Sequence, residues 1–220
     1  MLPESLRPAG AALLAASVAM VLAAFVAGRG NPGRVDTAVD PRVQAALGRF
    51  PALLQQLPRL GGLPEVALMT AALALVCVVT RRWSGVLLAL VAVPGAVGLT
   101  EYVLKPYVGT VIHQAFPSGH ATSSFALATV FAILITDPVY RRVPAALRLL
   151  LVLLALLLAV AVAAAMIAIG AHTFTDAVAG AAVGTGVVLA CALTLDLAVH
   201  RARRAPAEHS GPAYPDKVRR

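Results

Sequence analysis

The chain has 220 residues, of which 60% are hydrophobic and 13% charged, and its mean hydropathy is +0.85. Soluble domains carry about 25% charged residues, so the composition excludes a water-soluble globule and indicates an all-α integral membrane protein. The formal charge of +8 does not point to nucleic acid. Basic residues fall in short stretches between apolar runs and in the tail, which is how membrane proteins set their orientation.

A helix needs roughly 20 mostly apolar residues to cross the hydrocarbon core, and six such runs follow one another. They cover about Ala11 to Ala27, Gly62 to Val79, Val86 to Leu104, His120 to Ile135, Leu149 to Ile169 and Ala177 to Val199. The first is read as a retained span, being longer than the apolar core of a cleaved signal. Runs two and three are joined only by Thr80-Arg81-Arg82-Trp83-Ser84, which predicts a helical hairpin. Cys77 and Cys191 lie inside apolar runs and read as small buried side chains, neither disulfide nor metal ligands. Gly180-x-x-x-Gly184 reads as a packing face of the sixth span within the bundle. Asp196 is expected to reach the interface at the inner end of that span.

With the N-terminus in the cytoplasm, twelve of the eighteen Lys and Arg fall inside: Arg7, Arg81, Arg82, Arg141, Arg142, Arg148 and six in the tail. The positive-inside rule then places both termini in the cytoplasm of a multi-pass cell-membrane protein. Trp83 and Tyr140 would mark the inner interface, Tyr102 and Tyr107 the outer one. The loop over residues 28–61 is extracytoplasmic, and its part from Val43 to Leu60 reads as an amphipathic segment lying on the outer leaflet. Residues 1–199 form the membrane domain, and 200–220 read as a basic, disordered cytoplasmic tail. The bias toward Ala, Val and Arg suggests a GC-rich bacterial genome.

Ionisable residues at membrane depth are costly and mark sites. Glu101 to Lys105 and Phe116-Pro117-Ser118-Gly119-His120 lie between spans three and four; His172-Thr173-Phe174-Thr175-Asp176 lies between five and six. This topology puts both loops on the outer face. Ser118 is an N-cap for the fourth span, and Gly119 admits a ligand close to the backbone, so the first turn there is an anion site. His120 can donate a proton to a departing oxygen. His172 and Asp176, four apart, pair on one face, with the carboxylate fixing the imidazole and leaving its other nitrogen as nucleophile or base. Thr173-x-x-Asp176 is also a capping box. Lys105, the one Lys or Arg between Arg82 and Arg141, reads as an anion contact; Glu101 has no assigned role.

A lysine, then Pro-Ser-Gly-His, then His-x-x-x-Asp, on loops joining six spans, resembles the type 2 phosphatidic acid phosphatase family, the membrane lipid phosphate phosphatases related to vanadium haloperoxidases. The resemblance implies a six-helix bundle whose site faces outward and takes a lipid phosphate or diphosphate, of polyprenyl or phosphatidyl type, from the bilayer. It implies that His172 attacks phosphorus, Asp176 orients it and His120 protonates the leaving oxygen. Lys105, Ser118 and Gly119 would hold the phosphoryl oxygens, with no cofactor and no metal. The family pairs the lysine with a downstream arginine, where this chain has Thr110, Ile112 and His113, and places an arginine before the histidine of the third motif, where it has Met166. Thr110 and His113 stand as partial replacements, and the arginines of the first loop (Arg29, Arg34, Arg42, Arg49, Arg59) as another source of charge. Two readings therefore stand: a metal-independent phosphatase, or a degenerate member that binds a lipid phosphate or a partner membrane protein without turnover. A homo-oligomer is also left open.

Overall fold

The computed structural model describes residues 7–29, 32–108, 116–137 and 142–208, the last stretch by backbone alone at residues 200 and 202–208. Tyr140 and Arg141 lie outside the described residues.

Every regular element among them is helical. In chain order these are α1 (Arg7–Ala27), α2 (Arg34–Leu47), α3 (Pro51–Leu60), α4 (Leu63–Val79) and α5 (Trp83–Gly98). A π-helical turn (Leu99–Leu104) and the single turn α6 (Lys105–Val108) continue α5, followed by α7 (Gly119–Thr136), α8 (Ala145–Ala168) and α9 (Phe174–Glu208). Five stretches are long and apolar enough to cross a bilayer: α1, α5 through α6, α7, α8 and the Phe174–Val199 part of α9. The 17 residues of α4 make a sixth only together with α3, from which it is bent by 55°. Pro51 and Pro64 stand at the starts of α3 and α4, where a missing N–H costs nothing.

Large apolar side chains such as Leu22, Leu68, Val79 and Leu157 are exposed on the outside of the bundle, as lipid-facing positions should be. The interior is built of small residues, with Ala89, Ala92, Ala96, Ala126, Ala179 and Ala192 all fully buried. This allows the close helix approach that packing in a bilayer requires. α7 and α9 form the centre: α7 packs against α9, α8, α5 and α4, and α9 also against α1 and α5. Gly180 and Gly184 lie in the α7–α9 contact, where a Cβ would collide with the carbonyls of Ser118 and Thr122 respectively. The glycine pair thus packs inside the bundle, as the sequence suggests. Cys77 and Cys191 are free thiols, Cys77 fully buried.

Three expectations change. The stretch from Val43 to Leu60 is not one segment but parts of two helices, both docked on the protein. α2 packs on α8 and α9, and α3 on α8 and α4; Val43 joins the cluster of Ala121, Ala163, Ile167 and Ala177. Val43, Leu47, Leu54 and Leu57 of the apolar stripe are half-buried, while Phe50 is exposed. The last helix does not stop at Val199 but runs on to Glu208, into the stretch read as disordered, where residues 200–205 contain neither glycine nor proline. Asp196 is buried, with a carboxylate oxygen 3.9 Å from Arg7 Nε, since α1 packs along α9 and brings its first residue to that level. At the same end Arg82 pairs with Asp137 at 2.6 Å and donates to the Leu134 carbonyl at 3.1 Å. Those two contacts fasten the α4–α5 turn, in which Arg81 adopts φ 55°, to the far end of α7.

Candidate active site

The opposite end of α7 carries the motif residues. α7 begins at Gly119 with Ser118 as N-cap, extended at φ −67° and ψ 117°, its hydroxyl accepting from the Ala121 amide. Ser118 is fully buried, and its own amide donates to the Asp176 carbonyl at 3.0 Å. This one backbone bond ties the start of α7 to the start of α9 and brings the two motif loops together. The amides of Gly119 and His120 precede the intrahelical ladder and point out of the helix end.

His172 is placed by the way α8 ends. Gly170 adopts φ 73°, and the amides of Gly170 and Ala171 donate to the carbonyls of Ile167 and Met166, each at 3.0 Å. This is a Schellman turn, which requires the left-handed conformation glycine adopts without strain. The Met166 carbonyl also accepts from the His172 amide at 3.3 Å. Met166 itself is buried in the core, so the position where the family has an arginine serves the site only through its carbonyl.

α9 starts two residues later. Asp176 is wholly buried, and its Oδ2 accepts from the Thr173 amide at 2.9 Å while standing 3.4 Å from His172 Nδ1. Thr173 Oγ1 receives the Asp176 amide at 3.4 Å. The capping box and the His–Asp pair are thus both present and share one oxygen. With Nδ1 turned to the carboxylate, Nε2 is the nitrogen left for chemistry.

The sequence reading missed two carboxylates. Asp36 and Asp40, one turn apart on α2, face the amino end of α9. Asp40 Oδ1 accepts from the Phe174 amide at 3.0 Å and Asp36 Oδ1 from the Thr175 amide at 2.9 Å. Asp36 Oδ2 takes the Thr175 hydroxyl at 3.0 Å and the Gly33 amide at 3.1 Å. The first amides of α9 are therefore occupied by protein acceptors, and the start of α7 is the helix end left to meet an anion. Burial, with Asp36 and Asp176 nearby, raises the Asp40 carboxyl above its ordinary value, although the Phe174 amide opposes the shift. The missed signal was spacing: with ten acidic residues in the chain, two acids four apart in an arginine-rich loop ask for a partner.

Lys105 stands at the end of the π-helical turn, the kind of widened turn that clusters at functional sites. Its Nζ is held by both oxygens of Glu101, at 2.7 and 2.8 Å. A Cβ on Gly119 would collide with Glu101 Oε1 and lie 3.6 Å from Lys105 Nζ, so the ion pair sits directly over the first residue of α7. Thr100 Oγ1 lies 3.0 Å from Thr122 Oγ1 and fastens that turn to α7. His120, half-buried, is within electrostatic reach of His172, Lys105 and Glu101.

His120, His172, Asp176, Lys105, Ser118 and Gly119 therefore meet at one end of the bundle. Thr110, Ile112 and His113 lie outside the described residues. The five arginines of the first loop are exposed. Arg29 and Arg49 stack on Phe25 and Phe50, while Arg42 and Arg59 bond within their own helices to the Ala38 carbonyl and the Gln56 side chain. Through α2 the loop also brings Asp36 and Asp40 to this end of the bundle.

Searches among curated proteins and among solved structures returned no match. The model of the PAP2 superfamily matches residues 94–198, a stretch that holds the π-helical turn, both motif loops and all of α7 and α8. Over that stretch the chain is similar to the PAP2 superfamily.

Proposed function

We propose that this protein hydrolyses a lipid phosphate or diphosphate at the extracytoplasmic face of the membrane through a phosphohistidine on His172. The Ser118 amide to Asp176 carbonyl bond carries the reading, because it sets an anion-binding helix end and His120 beside a carboxylate-oriented histidine. His172 Nε2 attacks phosphorus, forming the N–P bond as the bond to the leaving lipid oxygen breaks. His120 gives that oxygen its proton, then takes one from the water that cleaves the N–P bond and releases phosphate. The Gly119 and His120 amides and the Lys105 ammonium hold the phosphoryl oxygens. Two of the three ammonium protons already face Glu101, leaving one for substrate.

A second reading has a specific observation behind it. Charge-assisted bonds are worth about 1.5–3 kcal/mol each; Met166 supplies none, and Glu101 draws on Lys105. A member that binds a lipid phosphate without turnover would look like this. Phosphate release by detergent-purified protein in the presence of EDTA, from phosphatidate and prenyl diphosphates, separates the two. The hydrolase reading expects slow release that vanishes in His172→Ala, with an acid-labile phosphoenzyme trapped from the wild type and absent from His172→Ala. No release on any substrate from folded protein would select the binder.

A further inference from the structure

Below the site lies a groove that the mechanism does not use. α4 and α8 both pack on α7 and barely meet each other, and between them runs a cavity of about 340 Å³. Leu60, Ser124 and Val162 line its upper end, and Val76, Phe131 and Ala155 its lower end. Ser124 to Phe131 covers about 10 Å of helix at about 1.5 Å per residue. Every residue lining the groove is apolar except Ser124.

Ser124 is the unusual one. It is 8% exposed, and its hydroxyl is buried without a hydrogen-bond partner. A serine in a helix ordinarily satisfies itself on a carbonyl of the preceding turn, as Thr122, Ser123 and Thr129 of the same helix do. A buried polar group left unpaired calls for an explanation. The groove also joins the active site. A Cβ on Gly61 would lie 3.1 Å from Ser124 Oγ, 3.2 Å from His120 Cβ and 2.9 Å from Val162 Cγ1, so Gly61 roofs the groove and borders His120 at once. Ser124 follows His120 by four residues, about one helical turn or 5.4 Å along the axis.

We infer that this groove holds an acyl chain of a glycerolipid phosphate, with the Ser124 hydroxyl donating to the chain's ester carbonyl. The inference rests on the phosphatase reading for where the head group sits. In a glycerolipid phosphate the first ester carbonyl follows the phosphate at about the spacing of one helical turn, and an apolar chain continues from it. In a prenyl phosphate the carbons after the phosphate carry no acceptor, and Ser124 would stay unpaired. The orphan hydroxyl therefore selects ester-linked over isoprenoid substrates.

Two variants test this: Ser124→Ala, and Ala72→Phe, which narrows the groove from an exposed position on α4. Substrates are dioleoyl phosphatidate, its dialkyl ether analogue, farnesyl phosphate and glycerol 3-phosphate. Ser124→Ala is expected to lower kcat/KM for the ester lipid about tenfold and leave the ether lipid and farnesyl phosphate unchanged. Ala72→Phe should raise KM for both long-chain glycerolipids and leave glycerol 3-phosphate turnover alone. Equal losses on ester and ether lipids, or no effect of Ala72→Phe on the long chains, would overturn the inference.

A binding arm needs no turnover. Phosphatidate bearing a diazirine in its acyl chain should cross-link to Met69, Leu73 and Phe131, and excess phosphatidate should compete where phosphatidylcholine does not. Equal competition by phosphatidylcholine would mean bulk lipid fills the groove and would end the proposal. Specific cross-linking without phosphate release would sink the hydrolase reading and keep the groove; release without cross-links there would do the reverse.

Discussion

The amide of Ser118 reaches the carbonyl of Asp176 at 3.0 Å across the α7–α9 contact, and Gly180 is what permits it. A Cβ there would collide with the Ser118 carbonyl and stand 3.0 Å from Ala121 Cβ. Gly180→Ala should destabilise the protein by about 1–3 kcal/mol through overpacking. It should lower turnover by about a hundredfold, because small displacements of reacting groups are costly. Gly95→Ala, where a Cβ meets open space, is the control. Thermal unfolding in detergent beside kcat checks both, and equal behaviour of the two variants would contradict the account.

Glu101 restrains Lys105. Glu101→Gln removes a carboxylate from the phosphate's surroundings and frees the ammonium, so KM should fall by about fivefold, the scale of one partly exposed ion pair. An increase in KM would instead make Glu101 a positioning residue for the lysine. Steady-state kinetics on a single lipid phosphate decides it.

The aspartates of α2 should behave differently from each other. Asp36 is buried and accepts three bonds, so Asp36→Ala should cost about 2–3 kcal/mol and reduce kcat with it. Asp40 has its folded pKa raised, so it binds protons more readily folded than unfolded. Its contribution is complete below its ordinary pKa and is lost as pH rises through the raised value. Asp40→Asn keeps the Phe174 acceptor without the charge. It should match or exceed wild-type stability at pH 7, and that advantage should shrink as pH falls toward 4. Unfolding midpoints across that range test the sign.

Gly170 should tolerate asparagine better than alanine. Nothing lies within 4 Å of a Cβ there, so only the left-handed backbone opposes substitution. Gly170→Ala should cost about 1–2 kcal/mol, Gly170→Asn less, because asparagine visits that conformation more readily. Turnover should fall in the same order as the Met166 carbonyl loses its hold on His172. Loss of activity without loss of stability would be the clearest sign that the turn serves the histidine.

The spans and the motif residues were legible because each follows from a local pattern. Apolar run length gave the transmembrane helices, and Pro-Ser-Gly-His and His-x-x-x-Asp each gave one half of the site within a few consecutive residues. What was not legible depends on contacts remote in sequence. Asp36 and Asp40 acquire a role only when α2 lies against α9, over 130 residues away. Glu101 faces Lys105 over Gly119 on a π-helical turn, which no periodicity announces. Val43 to Leu60 reads as amphipathic either way; whether lipid or protein covers that face is decided by the docking of α2 and α3 on α8.

The clamp of Asp36 on Thr175 also bears on the order of synthesis. His172 and Asp176 reach their final setting only when the loop made before α3 closes on a helix made near the end of the chain. Until α9 has entered the bilayer, α7 lacks the partner that carries Asp176, and α2 lacks the amides it caps. A ribosome-bound or truncated chain ending before Phe174 therefore lacks this assembled cluster, and insertion of α9 is the event that completes the end of the bundle carrying the motif residues.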